Sequence, residues 1–239
     1  MAIEKEMDPD KQLQMVKDFE KKYPQSPLLS DTYFFGASAS EQKNDVSGAL
    51  SYGEKSLKLR PDNLRSLILV ASLLPLPQAL GTMTPQQKSQ QLGQSETDAT
   101  HALTLLTQLQ AQPNVTPDQF TKAKAVIQAQ LHAALGMAHL EKAILNKGPA
   151  DPTELSAAET EFKAAVASPQ PNAQDYYRLG EVYARENKMD DAIAAFTQAS
   201  KLGQGTLTQK YADNMIRQLK AQQAKAQSSA PAKQEEPPQ

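Results

Sequence analysis

The chain has 239 residues, of which 39% are apolar and 5% aromatic, with no Trp and no Cys. That length allows one large or two small domains with a sizeable core, and a formal net charge of −2 gives no electrostatic reason to expect nucleic acid or an anionic membrane as partner. The lack of Cys excludes disulfides, a thiolate nucleophile and Cys-ligated zinc or iron–sulfur centres, and leaves the redox compartment open.

Ala, Gln, Leu, Lys and Glu dominate the sequence, and these are helix formers rather than β-branched strand formers, so the class expected is all-α. In chain order, the charged N-terminus MAIEKEM holds no apolar run of signal-peptide length. Helices are expected near 9–22, 28–42, 45–59 and 62–74, with joints at YPQSP (23–27) and RPDN (60–63). The apolar run LILVASLLPLPQAL (67–80) is too short for a membrane span and is interrupted by Ser72, Pro75 and Pro77, which makes it a buried helix and its exit.

Further helices are expected at 85–111, 117–146, 152–168, 173–187, 189–202 and 206–226. Four of the ten starts carry the same signal, a cap residue followed by Pro: Asp8, Thr84, Thr116 and Asp151. After the last three, the third residue is Gln87, Gln119 or Glu154, whose side chain can return a hydrogen bond to the cap backbone. Short joints join antiparallel neighbours, so the helices read as hairpins in series. The end, 227–239, lacks large apolar residues and is expected to be a disordered tail.

DYYRLGEVYARENKMDDAIAAFTQASKL (175–202) carries the marks of a 34-residue helical repeat: Tyr176, Leu179, Gly180, Tyr183, then Ala192, Phe196 and Ala199. Small residues there allow two helices to approach closely, and the aromatics fill the gap. The preceding segment repeats these marks with Leu135, Gly136, Ala158, Phe162 and Ala165, with ten extra residues in the turn. Upstream, Tyr33, Ala37, Ala49 and Ser56 take the equivalent places and Pro61 closes the repeat. Residues 64–113 read as a degenerate hairpin, with Leu67, Val70 and Ala71 facing Ala99, Leu103 and Leu106.

On these residues the chain resembles the bacterial tetratricopeptide-repeat family, over 30–63, 129–172 and 173–206. The resemblance implies an αα-hairpin solenoid of four or five hairpins over 1–226, wound as a right-handed superhelix with irregular insertions. The run DFEKKYPQSP (18–27) also looks like the periplasmic and outer-membrane assembly branch of that family, which implies a periplasmic or cell-envelope setting, with the cytoplasm as the alternative. The opening hairpin reads as truncated, consistent with a longer precursor from which an export signal is removed.

Little chemistry is offered. There is no phosphate-binding glycine motif. FGASAS (35–40) lacks the second glycine and the strand-to-helix turn of a hydrolase elbow, and reads as a helix-packing seam. His132 and His139, seven apart, stand where the repeat puts its aromatics, and no H-E-x-x-H occurs, so packing is expected and neither a metal nor a cofactor. His101 has no partner nearby in sequence.

A non-catalytic protein or peptide binder follows. The family resemblance places Phe34, Ser38, Glu41, Ile68, Ser72, Ala133, Met137, Leu140, Tyr177, Glu181 and Arg185 on the concave groove, where a partner's amphipathic helix or apolar peptide would lie. Arg178 and Arg185 alone are too few for a carboxylate clamp. The alternative at Phe34, Ile68 and Met137 is cover by the neighbouring repeat or by the long helix over 117–146. The competing readings are self-association through the terminal hairpin, and an enzyme or metal protein with its site in 75–98 or 146–155.

Overall fold

Asp8, Thr84, Thr116 and Asp151 each accept a hydrogen bond from the first turn of the helix that follows, with Pro at its start. Thr84 with Gln87 and Thr116 with Gln119 form full capping boxes, which satisfy two otherwise orphaned N–H groups at each start. Glu154 does not close the third box. Its side chain is turned to His139 instead, and the Asp151 N–H donates to the carbonyl of Ala143 at 2.9 Å.

In this computed structural model, which describes residues 2–111 and 113–229, these starts belong to an all-helical chain. Among the described residues there are twelve helices and no strand: α1 (Ala2–Lys5), α2 (Pro9–Lys22), α3 (Leu29–Gln42), α4 (Val46–Leu59), α5 (Leu64–Leu73), α6 (Pro77–Leu80), α7 (Pro85–Gln108), α8 (Pro117–Ala143), α9 (Pro152–Val166), α10 (Ala173–Arg185), α11 (Met189–Leu202) and α12 (Leu207–Ser229). The single turns α1 and α6 carry no amphipathic period and were not expected. The helix expected over 117–146 stops three residues early, at Ala143. The tail expected over 227–239 lies, from residue 230, outside the described residues.

Up to Pro171 the helices form one unit, and from Asn172 a second; the boundary falls in the SPQPN joint. In the first unit α2 packs on α3, α3 on α4, α4 on α5, α5 on α7, α7 on α8 and α8 on α9. In the second, α10 packs on α11 and α11 on α12. The degenerate hairpin is α5 with α7: Leu67, Ala71, Ala99, Ala102 and Leu106 are buried together, with Leu131, Ala134 and Leu135 of α8.

The repeat marks are packing seams. A Cβ on Gly180 would sit 2.8 Å from the Phe196 ring, and one on Gly136 would sit 3.0 Å from the Phe162 ring. Only glycine lets the rings come so close, and both are fully buried. In the first hairpin the ring is Tyr52, 3.0 Å from a Cβ on Gly36; it faces the residue before Ala37, which the sequence pattern puts at the glycine place. Ala37 and Ala49 are nonetheless buried in one cluster with Val70. Asn44 and Asn187 turn the first and last of these hairpins, each with a positive φ, 57° and 62°, a conformation that Asn tolerates better than other non-glycine residues.

Ser56, at an expected alanine place, belongs to a buried polar network. Its Oγ lies 2.7 Å from that of Ser66 and 3.0 Å from that of Ser30, and Asn63 donates to Ser30 at 3.0 Å while its carbonyl oxygen caps α5. Tyr23 closes α2, its N–H bonded to the Phe19 carbonyl and its ring 5.1 Å from that of Phe19. This local role accounts for the F-x-x-x-Y-P run without reference to cellular setting.

Candidate functional site

Once the seams are assigned, the inner faces of α3 and α5 are left to describe. The side chains of Phe34, Ser38 and Glu41 on α3, Arg65, Ile68, Leu69 and Ser72 on α5, and Gln130 on α8 line one cleft of about 220 Å³. Spacing explains the first two sets, since residues three and four apart share a helix face. Five of the groove residues named from the sequence, Phe34, Ser38, Glu41, Ile68 and Ser72, therefore stand together. The Arg65 guanidinium lies over the Phe34 ring, 4.6 Å from its centre, and donates to Asp31 at 3.2 Å. Its plane thus extends the apolar wall while its charge stays at the rim. Phe34 and Ile68 are half-buried.

Two expected groove residues are corrected by the structure. Met137 and Leu140 are 9% and 2% exposed, because α8 is the central helix of this unit, covered by α5, α7 and α9. A helix covered by three neighbours has no open face at those positions, so neither residue is available to a partner. Ala133 is half-buried.

Tyr177, Glu181 and Arg185 belong to the second unit, where they share one face of α10. Tyr177 is partly scaffold, its ring 5.2 Å from that of Phe196, and burial, helped by the nearby Glu181 carboxylate, raises its hydroxyl above the usual range. Glu181 accepts from Arg178 at 2.7 Å. Arg185 is exposed and its guanidinium donates to the Glu181 carbonyl at 3.3 Å.

The three histidines all have carboxylate partners that sequence spacing could not supply. His101 Nε2 is 2.9 Å from Asp62, a partner far from it in sequence, and the ring is half-buried. Nδ1 of His132 lies 2.6 Å from Glu161 and Nδ1 of His139 lies 2.7 Å from Glu154. Both rings stand in the α8/α9 seam as expected, but they meet acids there rather than apolar groups. Glu96 on α7 comes within 3.4 Å of the same His139 nitrogen. Arg65 was missed although it precedes Ile68 by one helical turn; Gln130, Glu96 and Glu154 reach their places through tertiary packing and left no local signal.

Hairpins with a glycine notch under an aromatic ring, joined in series, define a helical-repeat protein. The fold is that of the tetratricopeptide-repeat proteins: the crystal structure of TTC0263, a thermophilic protein of that kind from Thermus thermophilus, matches 87% of this chain and 90% of its own at 18% identity, with a TM-score of 0.57. The MamA protein matches 89% of this chain and 100% of its own at 18% identity, with a TM-score of 0.44. No protein-family model and no curated protein matches the chain. Among the described residues no helix is long and apolar enough to cross a membrane.

Proposed function

We propose that this chain is a non-catalytic scaffold that binds a peptide or helix of a protein partner in the cleft between α3, α5 and α8. The observation that carries this reading is the cleft's make-up: half-buried Phe34 and Ile68 line it together with the charged side chains of Arg65 and Glu41 and the amide of Gln130. An apolar side chain of the partner sits against Phe34 and Ile68. Flanking polar groups of the partner meet Arg65, Glu41 and Gln130, which sets its direction. On α10, Tyr177, Glu181 and Arg185 offer the second unit's contact with the same mix of one ring and two charges.

The test is site-specific photo-crosslinking in the source cell, with a photoreactive residue at Ile68 and, as control, at exposed Lys58 on α4. A defined partner segment attached through position 68 and absent at 58 supports the cleft. Equal products from both positions, or none from 68, would show that the cleft is not the binding surface.

A further inference from the structure

Glu96 of α7, His139 of α8 and Glu154 of α9 bring three donor atoms within 4.8 Å of one another, each on a mostly buried side chain. Two features of this cluster are not explained by packing. The first is Oε1 of Glu96, which is buried yet accepts no hydrogen bond, while Lys142 holds the other oxygen of the same carboxylate. A buried orphan acceptor is costly and calls for a donor or an ion. The second is Glu154. Its position predicts a capping box, and it leaves that bond for His139.

We propose that Glu96 Oε1, His139 Nδ1 and Glu154 Oε2 bind one divalent cation of the zinc class, which ties α7, α8 and α9 together. Ligand atoms around a tetrahedral zinc at about 2.05 Å are about 3.3 Å apart. The Nδ1 to Glu96 separation is 3.4 Å, which fits without movement. The 2.7 Å from Nδ1 to Glu154 is a hydrogen-bond length and opens by about 0.6 Å when metal replaces the proton between them. An imidazole with two carboxylates selects zinc or cobalt over magnesium and calcium, which take oxygen-only shells. Lys142 acts from outside the shell: by holding one oxygen of Glu96 it aims the other at the metal. With neutral His139, the charges of Glu96, Glu154 and Lys142 sum to −1, so a dication is attracted. A water completes the shell on the open side. His132 with Glu161, about two turns away in the same α8/α9 seam, has no third ligand among the described residues and serves as the internal control.

The experiment titrates the full, metal-stripped chain with zinc chloride by calorimetry, with magnesium and calcium chloride as comparisons, and records the cobalt(II) absorption spectrum. The expected result is one equivalent of zinc, a rise in melting temperature, and visible cobalt bands of a four- or five-coordinate site. Glu96→Gln and Glu154→Gln each weaken binding by more than about tenfold, His139→Phe removes it, and His132→Phe leaves it unchanged. Circular dichroism confirms that each variant remains helical. Paramagnetic shifts of the His139 ring protons in the wild-type chain with cobalt(II) supply a readout that needs no variant. No zinc bound up to about a hundredfold excess, or zinc retained by His139→Phe, overturns the proposal; the imidazole is then simply hydrogen-bonded to Glu154.

Discussion

In the α10/α11 hairpin the Phe196 ring lies over Gly180, and Tyr176 and Tyr183 stand four residues before and three after that glycine. In the α8/α9 hairpin the Phe162 ring lies over Gly136, and the same two offsets carry His132 and His139. Both tyrosines pack into the apolar cluster of the second unit. Both histidines face glutamates of α9, pairing 132 with 161 and 139 with 154, the register of antiparallel helices. The notch is thus common scaffold, and its flanks are free to take either apolar or ionisable partners. Close approach of the helices depends on glycine and one ring; what the flanks hold decides whether the seam is inert.

The sharpest way to break that comparison is to remove each ring. Phe162→Ala and Phe196→Ala should each cost about 3–5 kcal/mol in urea unfolding, as for other fully buried rings, and should agree within about 1 kcal/mol. A tolerated loss at either site would show that the notches are not equivalent.

A second test uses charge. Burial pushes the Asp175 carboxyl, on α10, up to about 6 from an ordinary 3.8. The folded form therefore binds the proton more tightly, so its stabilising contribution is full below about pH 3.8 and is lost as pH rises through about 6. Asp175→Asn keeps it at all pH values. The substitution should stabilise the second unit by about 1–2 kcal/mol at pH 7, after allowing for partial exposure, and by nothing near pH 3.5. Amide hydrogen exchange in α10 and α11 across that range is the readout. A gain independent of pH would contradict the burial argument.

Smaller effects sharpen the contrast of the flanks. His132→Tyr places in one seam the residue type of the other, and together with Glu161→Gln should change the melting midpoint by no more than about 1 kcal/mol in free-energy terms. The smallest is at the caps. Thr116→Ala, which breaks a full capping box, should cost about 1 kcal/mol, whereas Glu154→Ala should cost the cap of α9 nothing, because the Glu154 side chain is not part of it. Equal loss of α9 protection in Glu154→Ala would restore its side chain to a capping role.

Much of this fold was legible, because its determinants are local. Cap residues, proline stops and the spacing of Gly180, Phe196, Gly136 and Phe162 all act within one hairpin. The one-residue difference at Gly36 arose because two small residues, Gly36 and Ala37, stand side by side and periodicity cannot choose between them. Phe34 and Ile68 could be placed on one cleft through the family resemblance, and Arg65, one helical turn before Ile68, carried the same spacing signal and was missed. The burial of Met137 and Leu140 could not be read, since it depends on α5, α7 and α9 closing around α8, and that is decided by distant residues. The same holds for Glu96 and Glu154, which lie 43 and 15 residues from His139 and meet it only after three helices have packed.

The central claim, that the seams are scaffold and the α3/α5/α8 cleft is the binding surface, is tested most directly by the Kd of the crosslinked partner segment, made as a peptide, for the wild-type chain and for Ile68→Asp. Ile68 is half-buried at the cleft floor, so the substitution should raise Kd by about tenfold or more while helicity is kept. An unchanged Kd in a fully helical Ile68→Asp chain would contradict the account.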